Sequence, residues 1–282
     1  GTNFTGATAV TVGGIPVTSF VVNSPTSITI VTPAGVSLGA QNVVITAPGG
    51  TATGPGAFTY LAQVTFSANG GGGSMPPQSG SSSAALTPNA FTFAGSTFLG
   101  WNTAANGSGT AYANGANYPF TSSTTLYAQW LTVASVAPPS GPLGSTTPIT
   151  ITGTGFTGAT AVTIGGVAAT SVVVVNSTTI TAVVPTSATV GAKNVVVTTP
   201  AGTGTGTGLY SYNATVTFNG NGSTGGSTAA QTASFATNLT TNGFTRTGYT
   251  FAGWNTLLGG GGTTYADGAS FPFTADTTLY AQ

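Results

Sequence analysis

The string GTNFTGATAVTVGG at residues 1–14 returns as GTGFTGATAVTIGG at 153–166, identical at 12 of 14 positions. Val64 of VTFSANGG aligns with Val216 of VTFNGNGS at the same offset of 152. Further on, Trp101 aligns with Trp254 and Gln129 with Gln282 at an offset of 153, so the second copy carries one inserted residue. The segments 91–129 and 244–282 agree at 25 of 39 positions. Near-identical units of this kind fold as an array in which every link uses the same core and turns. Residues 130–152 have no counterpart before Gly1, and nothing follows Gln282 where Trp130 follows Gln129. The expectation is a window onto a longer tandem array; the alternative is a subunit that starts in mid-domain and borrows its missing strands.

Within the unit, ITITGTGF (149–156), TAVTIGG (160–166), ATSVVVV (169–175), STTITAVV (177–184), KNVVVTT (193–199) and GLYSY (208–212) are short β-branched runs between Gly, Pro, Asn and Ser clusters. This pattern predicts a sandwich of strands with Thr hydroxyls on one face and Val or Ile on the other. The 44 Gly do not signal disorder, because a disordered chain is poor in the β-branched and aromatic residues that are abundant here.

The PPSGP turn (138–142), then TITGTGF, then AVTIGG, is similar to the immunoglobulin-like IPT/TIG domain, over 131–213 and over 1–61 without its opening strands. The modules 62–130 and 214–282 begin with VTF strands, pass FTFAGSTFLGWNT or FTRTGYTFAGWNT, and finish with YANGANYPFTSSTTLYAQW or YADGASFPFTADTTLYAQ. They resemble the Listeria–Bacteroides (internalin B-type) repeat, which implies a small β-grasp-like fold in bacterial surface proteins. The first copy departs from that pattern, with Phe93 in place of Arg246 and Ser96 in place of Tyr249. The expected fold is all-β: Ig-like sandwiches alternating with small β-grasp-like modules in an elongated tandem array. A sandwich lacking its first two strands should expose sheet edges and half a core.

Four side chains carry charge, Lys193, Arg246, Asp267 and Asp276, and there is no Glu, His or Cys. General acid–base work would fall to Asp267 and Asp276, but the first repeat has Asn114 and Ser123 there, so no catalytic residue is assigned. A Ser/Lys pair through Lys193 fails likewise, since Gln41 is its counterpart. Two carboxylates are too few for a calcium site, and Ala-Asp-Gly reads as a turn matching Ala-Asn-Gly in the other copy. No metal or cofactor is expected. Two cations cannot displace the counterions of a nucleic acid, one Lys cannot support an isopeptide in every domain, and no apolar run approaches the roughly eighteen residues of a membrane span.

Trp101 and Trp254 suggest core packing first and a platform for sugar stacking second; Trp130 is expected to pack at the junction with the next module. Asn-x-Ser/Thr sequons stand at Asn3, Asn106, Asn176, Asn213, Asn221 and Asn238, and glycan there or on Thr and Ser would hydrate an uncharged surface. The boundary stretches, Leu61 to Gln63 and Leu131 to Ser135, are brief, so neighbouring modules should touch and bend little. Without charge repulsion, identical surfaces can pack laterally or head to tail. These features point to an extracellular or cell-surface stalk, fibre or filament, structural or adhesive, whose partners are copies of itself. The alternative is a repeated module that binds carbohydrate or a host receptor.

Overall fold

Every second residue of a strand faces the same way, and the β-branched runs use that period to sort Val and Ile from Thr. The computed structural model describes residues 1–187 and 189–282. They cluster into two compact units, one of Gly1–Thr92 with Leu99–Gln129, the other of Phe93–Phe98 with Trp130–Gln282.

In the second unit, Ala161–Ile164 buries Val162 and Ile164, Thr179–Val183 buries Ile180 and Ala182, and Gly191–Thr199 buries Val195 and Val197. These are the inner faces of two antiparallel sheets. One holds residues 132–137 of the Thr124–Ala137 strand, then Pro148–Thr154, Thr179–Val183 and Thr170–Asn176. The other holds Val167–Ala168, Ala161–Ile164, Gly191–Thr199 and the first part of Gly202–Asn219, along which Ser140–Pro142 runs parallel. Ile149, Ile151, Phe156, Tyr210 and Tyr212 fill the space between. The Tyr212 hydroxyl donates to the Pro185 carbonyl. Burial, with Tyr210 beside it, pushes the Tyr212 phenol up to about 12. The result is the expected Ig-like sandwich.

Residues 1–60 contain counterparts of only part of this design. Ile15–Pro16, Ala9–Val12, Gly39–Ala47 and Gly50–Tyr60 form one sheet, and Ser19–Ser24 pairs with Ser27–Val31 as a separate hairpin. Among the described residues Ser27–Val31 has no strand on its other side, where Thr179–Val183 has Pro148–Thr154. Its Ile28 and Ile30 are half-buried, whereas their counterparts Ile180 and Ala182 are buried.

Both repeats fold alike. Residues 64–67 pair parallel with 124–127, and 216–219 pair parallel with 277–280, so the first and last strands of each repeat lie side by side. Gln78–Gly80 and Gln231–Ala233 add an antiparallel strand to the first of each pair. The parallel pair is the β-grasp-like feature; no helix occurs among the described residues. The buried set Ala62, Val64, Phe66, Leu86, Trp101, Tyr118, Phe120 and Leu126 recurs position for position as Ala214, Val216, Phe218, Leu239, Trp254, Phe271, Phe273 and Leu279.

Candidate functional site

Chemistry in this chain has to start from its four charged side chains. Asp267 Oδ1 accepts the Asn242 N–H at 2.8 Å, and in the first repeat Asn114 Oδ1 accepts the Asn89 N–H at 2.8 Å. Asp276 Oδ1 accepts the Thr215 N–H at 2.7 Å, while Ser123 Oγ accepts that of Gln63 at 3.0 Å. Lys193 Nζ donates to Thr189 Oγ1 at 3.0 Å, where Gln41 Nε2 donates to the Ser37 carbonyl at 2.8 Å. Three of the four charges therefore make fastenings that neutral side chains make in the other copy. Gly268 and Gly115, at φ +67° and +70°, close the same left-handed turn after Asp267 and Asn114. Among the described residues no three of His, Cys, Asp or Glu come together.

Trp101 is 1% exposed and Trp254 0%. Trp101 packs on Phe66 and Phe91 with centroids 4.8 and 6.1 Å apart, and Trp254 packs on Phe218, Phe251 and Phe244 at 4.7, 5.0 and 6.2 Å. Neither ring offers a face to a sugar, which corrects the second reading of these two residues: a stacking platform must be exposed, and both indoles are enclosed by aromatic neighbours. The glycine before each is required by the chain passing over it. Gly100 and Gly253 sit at φ +138°, and a Cβ there would lie 2.8 Å from the carbonyl oxygen of Tyr112 or Tyr265.

The residue after each Trp, which the sequence reading does not single out, organises the loop that follows. Buried Asn102 accepts the N–H groups of Ala104 and Gly109, each at 2.9 Å, and donates to the carbonyls of Gly107 and Gly109 at 3.1 and 3.2 Å. Asn255 does the same with Leu257, Gly262 and Gly260. A buried amide satisfied at both ends is a structural fastening; its only signal in sequence is that WN occurs in both copies.

The sequons divide by accessibility. Asn3, Asn106, Asn176 and Asn238 are exposed, and Asn213 and Asn221 are half-buried. Asn221 Nδ2 already donates to the carbonyls of Leu258 and Ala281, at 3.1 and 2.8 Å, as Asn69 Nδ2 does to Ala105 and Ala128. That amide is engaged in holding the repeat together.

The fourth charge behaves differently. Arg246 lies with its guanidinium carbon 4.2 Å from the ring centroid of Tyr249, which is 69% exposed. The pair flanks a cleft of about 380 Å³ whose walls include Asn221, Phe244 and Phe251. At the matching positions before Trp101, Phe93 and Phe98 stand edge-on to Trp130, at 5.8 and 5.4 Å, and Trp130 is buried. The same Phe93–Phe98 segment is tied to the Gly202–Asn219 strand. The Thr205 N–H donates to the Gly95 carbonyl at 2.6 Å. Thr97 Oγ1 donates to the Thr203 carbonyl at 2.7 Å and accepts the Thr203 N–H at 3.0 Å.

Family models match the chain in alternation, the IPT/TIG domain over residues 1–60 and 131–235 and the Listeria-Bacteroides repeat domain over 63–129 and 215–282. No curated protein matches it. Among solved structures, SGBP-B from a complex xyloglucan utilization locus in Bacteroides uniformis is similar at 14% identity, over 86% of this chain and 56% of that one, with a TM-score of 0.24. SGBP-B of a Bacteroides ovatus mixed-linkage glucan utilization locus, in complex with a mixed-linkage heptasaccharide, is similar at 15% identity, over 76% and 42%, with a TM-score of 0.21. A third structure, with xylogluco-oligosaccharide, gives 14% identity, 96% and 64% coverage and a TM-score of 0.41. The chain thus spans less than two thirds of each of these proteins. None of the superpositions is close enough to carry an argument about what this chain binds.

Proposed function

The chain belongs to the IPT/TIG family, with Listeria-Bacteroides repeats alternating between its IPT/TIG domains, and from that premise we propose a structural or adhesive repeat protein forming an extracellular stalk, fibre or filament on a bacterial surface. It works through length, stiffness and self-association, without catalysis. The observation that carries this reading is where the two repeats differ. Most of their buried residues and the fastening amides recur, with Phe271 a conservative exchange for Tyr118, whereas most of the substitutions over 244–282 fall on exposed positions of the second copy such as Arg246, Tyr249 and Leu257. A spacer needs its core and turns in every link; a ligand site repeated in every link needs its surface. The Gly202–Asn219 strand adds to this, since its first part pairs within the sandwich and its last part within the repeat, leaving no flexible linker between them.

Small-angle scattering tests the reading. A compact chain of this length has a radius of gyration near 19 Å, estimated as about 2.2·N^0.38. A stiff array should be well above it, and a value at the compact limit would overturn the proposal. A second reading, a module that binds carbohydrate or a host receptor, is favoured by one feature, the exposed Arg246–Tyr249 pair beside its cleft. A glycan-array signal that disappears in Tyr249→Ala would establish it.

A further inference from the structure

We propose that each Listeria-Bacteroides repeat is a mechanical clamp, a module that resists tension along the chain by loading its first and last strands in shear. The use of a clamp rests on the surface-stalk reading above, because an anchored fibre is pulled from its ends; its geometry rests on the repeat alone. Residues 64–67 face 124–127 in four parallel pairs, and 216–219 face 277–280 in four more. In each repeat the N-terminal side of the chain joins the start of one strand and the C-terminal side joins the end of the other. Tension therefore draws two parallel neighbours past each other, and the bonds between them must fail together. Across an antiparallel terminal pair the same tension would open one end, and the bonds would fail in turn.

Side chains latch the parallel pair at both ends, and in both repeats. Ahead of it, Ser123 Oγ accepts the Gln63 N–H at 3.0 Å, and Asp276 Oδ1 accepts the Thr215 N–H at 2.7 Å. Behind it, Asn69 Nδ2 donates to the Ala128 carbonyl at 2.8 Å, and Asn221 Nδ2 to the Ala281 carbonyl at 2.8 Å. Each latch ties the first strand to the last, so sliding must break it along with the ladder. The two asparagines sit at φ +49° and +46°; glycine would close that turn as readily, so the amide is what the position requires. One face of the ladder is sealed by Val64, Phe66 and Leu126 in the first repeat and by Val216, Phe218 and Leu279 in the second, all buried. Water on that side cannot replace the bonds as they stretch. In the second repeat Gln231–Ala233 pairs outside one strand and Trp254–Asn255 outside the other, so neither can be lifted away as an edge. Tension reaches this pair without slack, because Gly202–Asn219 runs as one strand from the sandwich into the ladder.

Single-molecule force spectroscopy on the intact chain tests this through the direction of pull. The sequence has no cysteine, so two introduced thiols are the only points of attachment. Asn213→Cys with a cysteine appended after Gln282 pulls on opposite ends of the parallel pair, and Asn213→Cys with Ala275→Cys pulls on the same end. Forced unfolding is governed by the unfolding rate and not by equilibrium stability. At one loading rate the opposite-end geometry should need about twofold more force or greater, since four pairs and two latches yield at once. Asn221→Gly keeps the positive φ and deletes the far latch. It should lower the force in the opposite-end geometry and leave the same-end force unchanged, because there the far latch breaks last. Equal forces in the two geometries would overturn the clamp, and an opposite-end force untouched by Asn221→Gly would overturn the latch. The comparison of directions needs no destabilising variant, so it decides the matter even where Asn221→Gly lowers the melting temperature. Equal forces would leave the stalk reading standing; a compact radius of gyration would undo the stalk and leave the force ratio intact.

Discussion

Val43 and Val195 hold the same place in the two sandwiches, yet Val195 is buried and Val43 only half-buried. Phe58 is 36% exposed where Tyr210 is 0%. The two repeats diverge less, since eight buried residues of one, Ala62 through Leu126, have buried counterparts in the other, while Phe91 and Ala128 match the half-buried Phe244 and Ala281. Burial therefore belongs to the neighbours and not to the residue. Each repeat brings its own cover, whereas among the described residues no strand pairs with the outer side of Ser27–Val31 as Pro148–Thr154 pairs with Thr179–Val183. Some features survive the difference. Tyr60 Oη donates to the Pro33 carbonyl at 2.9 Å, matching Tyr212 and Pro185.

The largest effect should come from the part of the comparison that predicts equality. Trp101→Ala and Trp254→Ala each remove a ring enclosed by aromatic neighbours and should cost about 3–5 kcal/mol apiece, read as lost amide protection in the repeat that carries the change. Unequal losses would break the equivalence of the repeats. Inequality is predicted next, between the sandwiches. Ile180→Ala should cost about 2–5 kcal/mol, and Ile28→Ala, at the matched but half-buried position, about 1 kcal/mol or less. Hydrogen exchange reads each sandwich separately, which matters because a chain of several modules does not unfold in one step. Placing a copy of residues 130–152 ahead of Gly1 should bring the two costs together; if Ile28 stays cheap to remove, cover is not what separates the sandwiches.

Alkaline titration sharpens the same contrast. The Tyr212 phenol is raised by burial, then by Tyr210, to about 12, against about 10 in an unfolded chain. A raised folded value means that the neutral phenol stabilises the fold fully below about pH 10, and that this contribution is lost as pH climbs through about 12. The second sandwich should therefore loosen across that window, and Tyr212→Phe should flatten the profile. An unchanged profile in Tyr212→Phe would assign the alkaline loss to other groups.

Self-comparison made the unit length legible, and local pattern the strand runs and the Asp-Gly and Asn-Gly turns, because those depend on residues a few positions apart. Pairing between distant residues left no such trace. Nothing local in VTF and LYAQ says that they run parallel, and the tie of Thr97 to Thr203 spans 106 positions. Polar residues in the core were also hard to read. Asn102 and Asn255 are buried for the hydrogen bonds they make to Gly-rich loops, which composition assigns to the surface. Of the candidate site residues, the two tryptophans resolve into core once their aromatic neighbours are in place, whereas the cleft at Arg246 and Tyr249 is built by a departure between copies that is visible in sequence but has no shape until the turn folds.

The smallest predicted effect concerns charge. Asp267→Asn and Asp276→Ser install the first repeat's residues in the second, and each keeps an oxygen where a backbone N–H needs an acceptor. A hydrogen bond to a charged acceptor is stronger in isolation, but at exposed positions solvent screens most of that advantage. Each swap should thus change stability by less than about 0.5 kcal/mol, within the resolution of paired thermal melts. Asp267→Ala is the informative contrast, because it leaves the Asn242 N–H without its side-chain acceptor and should cost more than the swap to Asn. If Asn and Ala proved equally costly, the carboxylate charge itself would matter at that turn, and the case for these residues as neutral fastenings in both copies would fail.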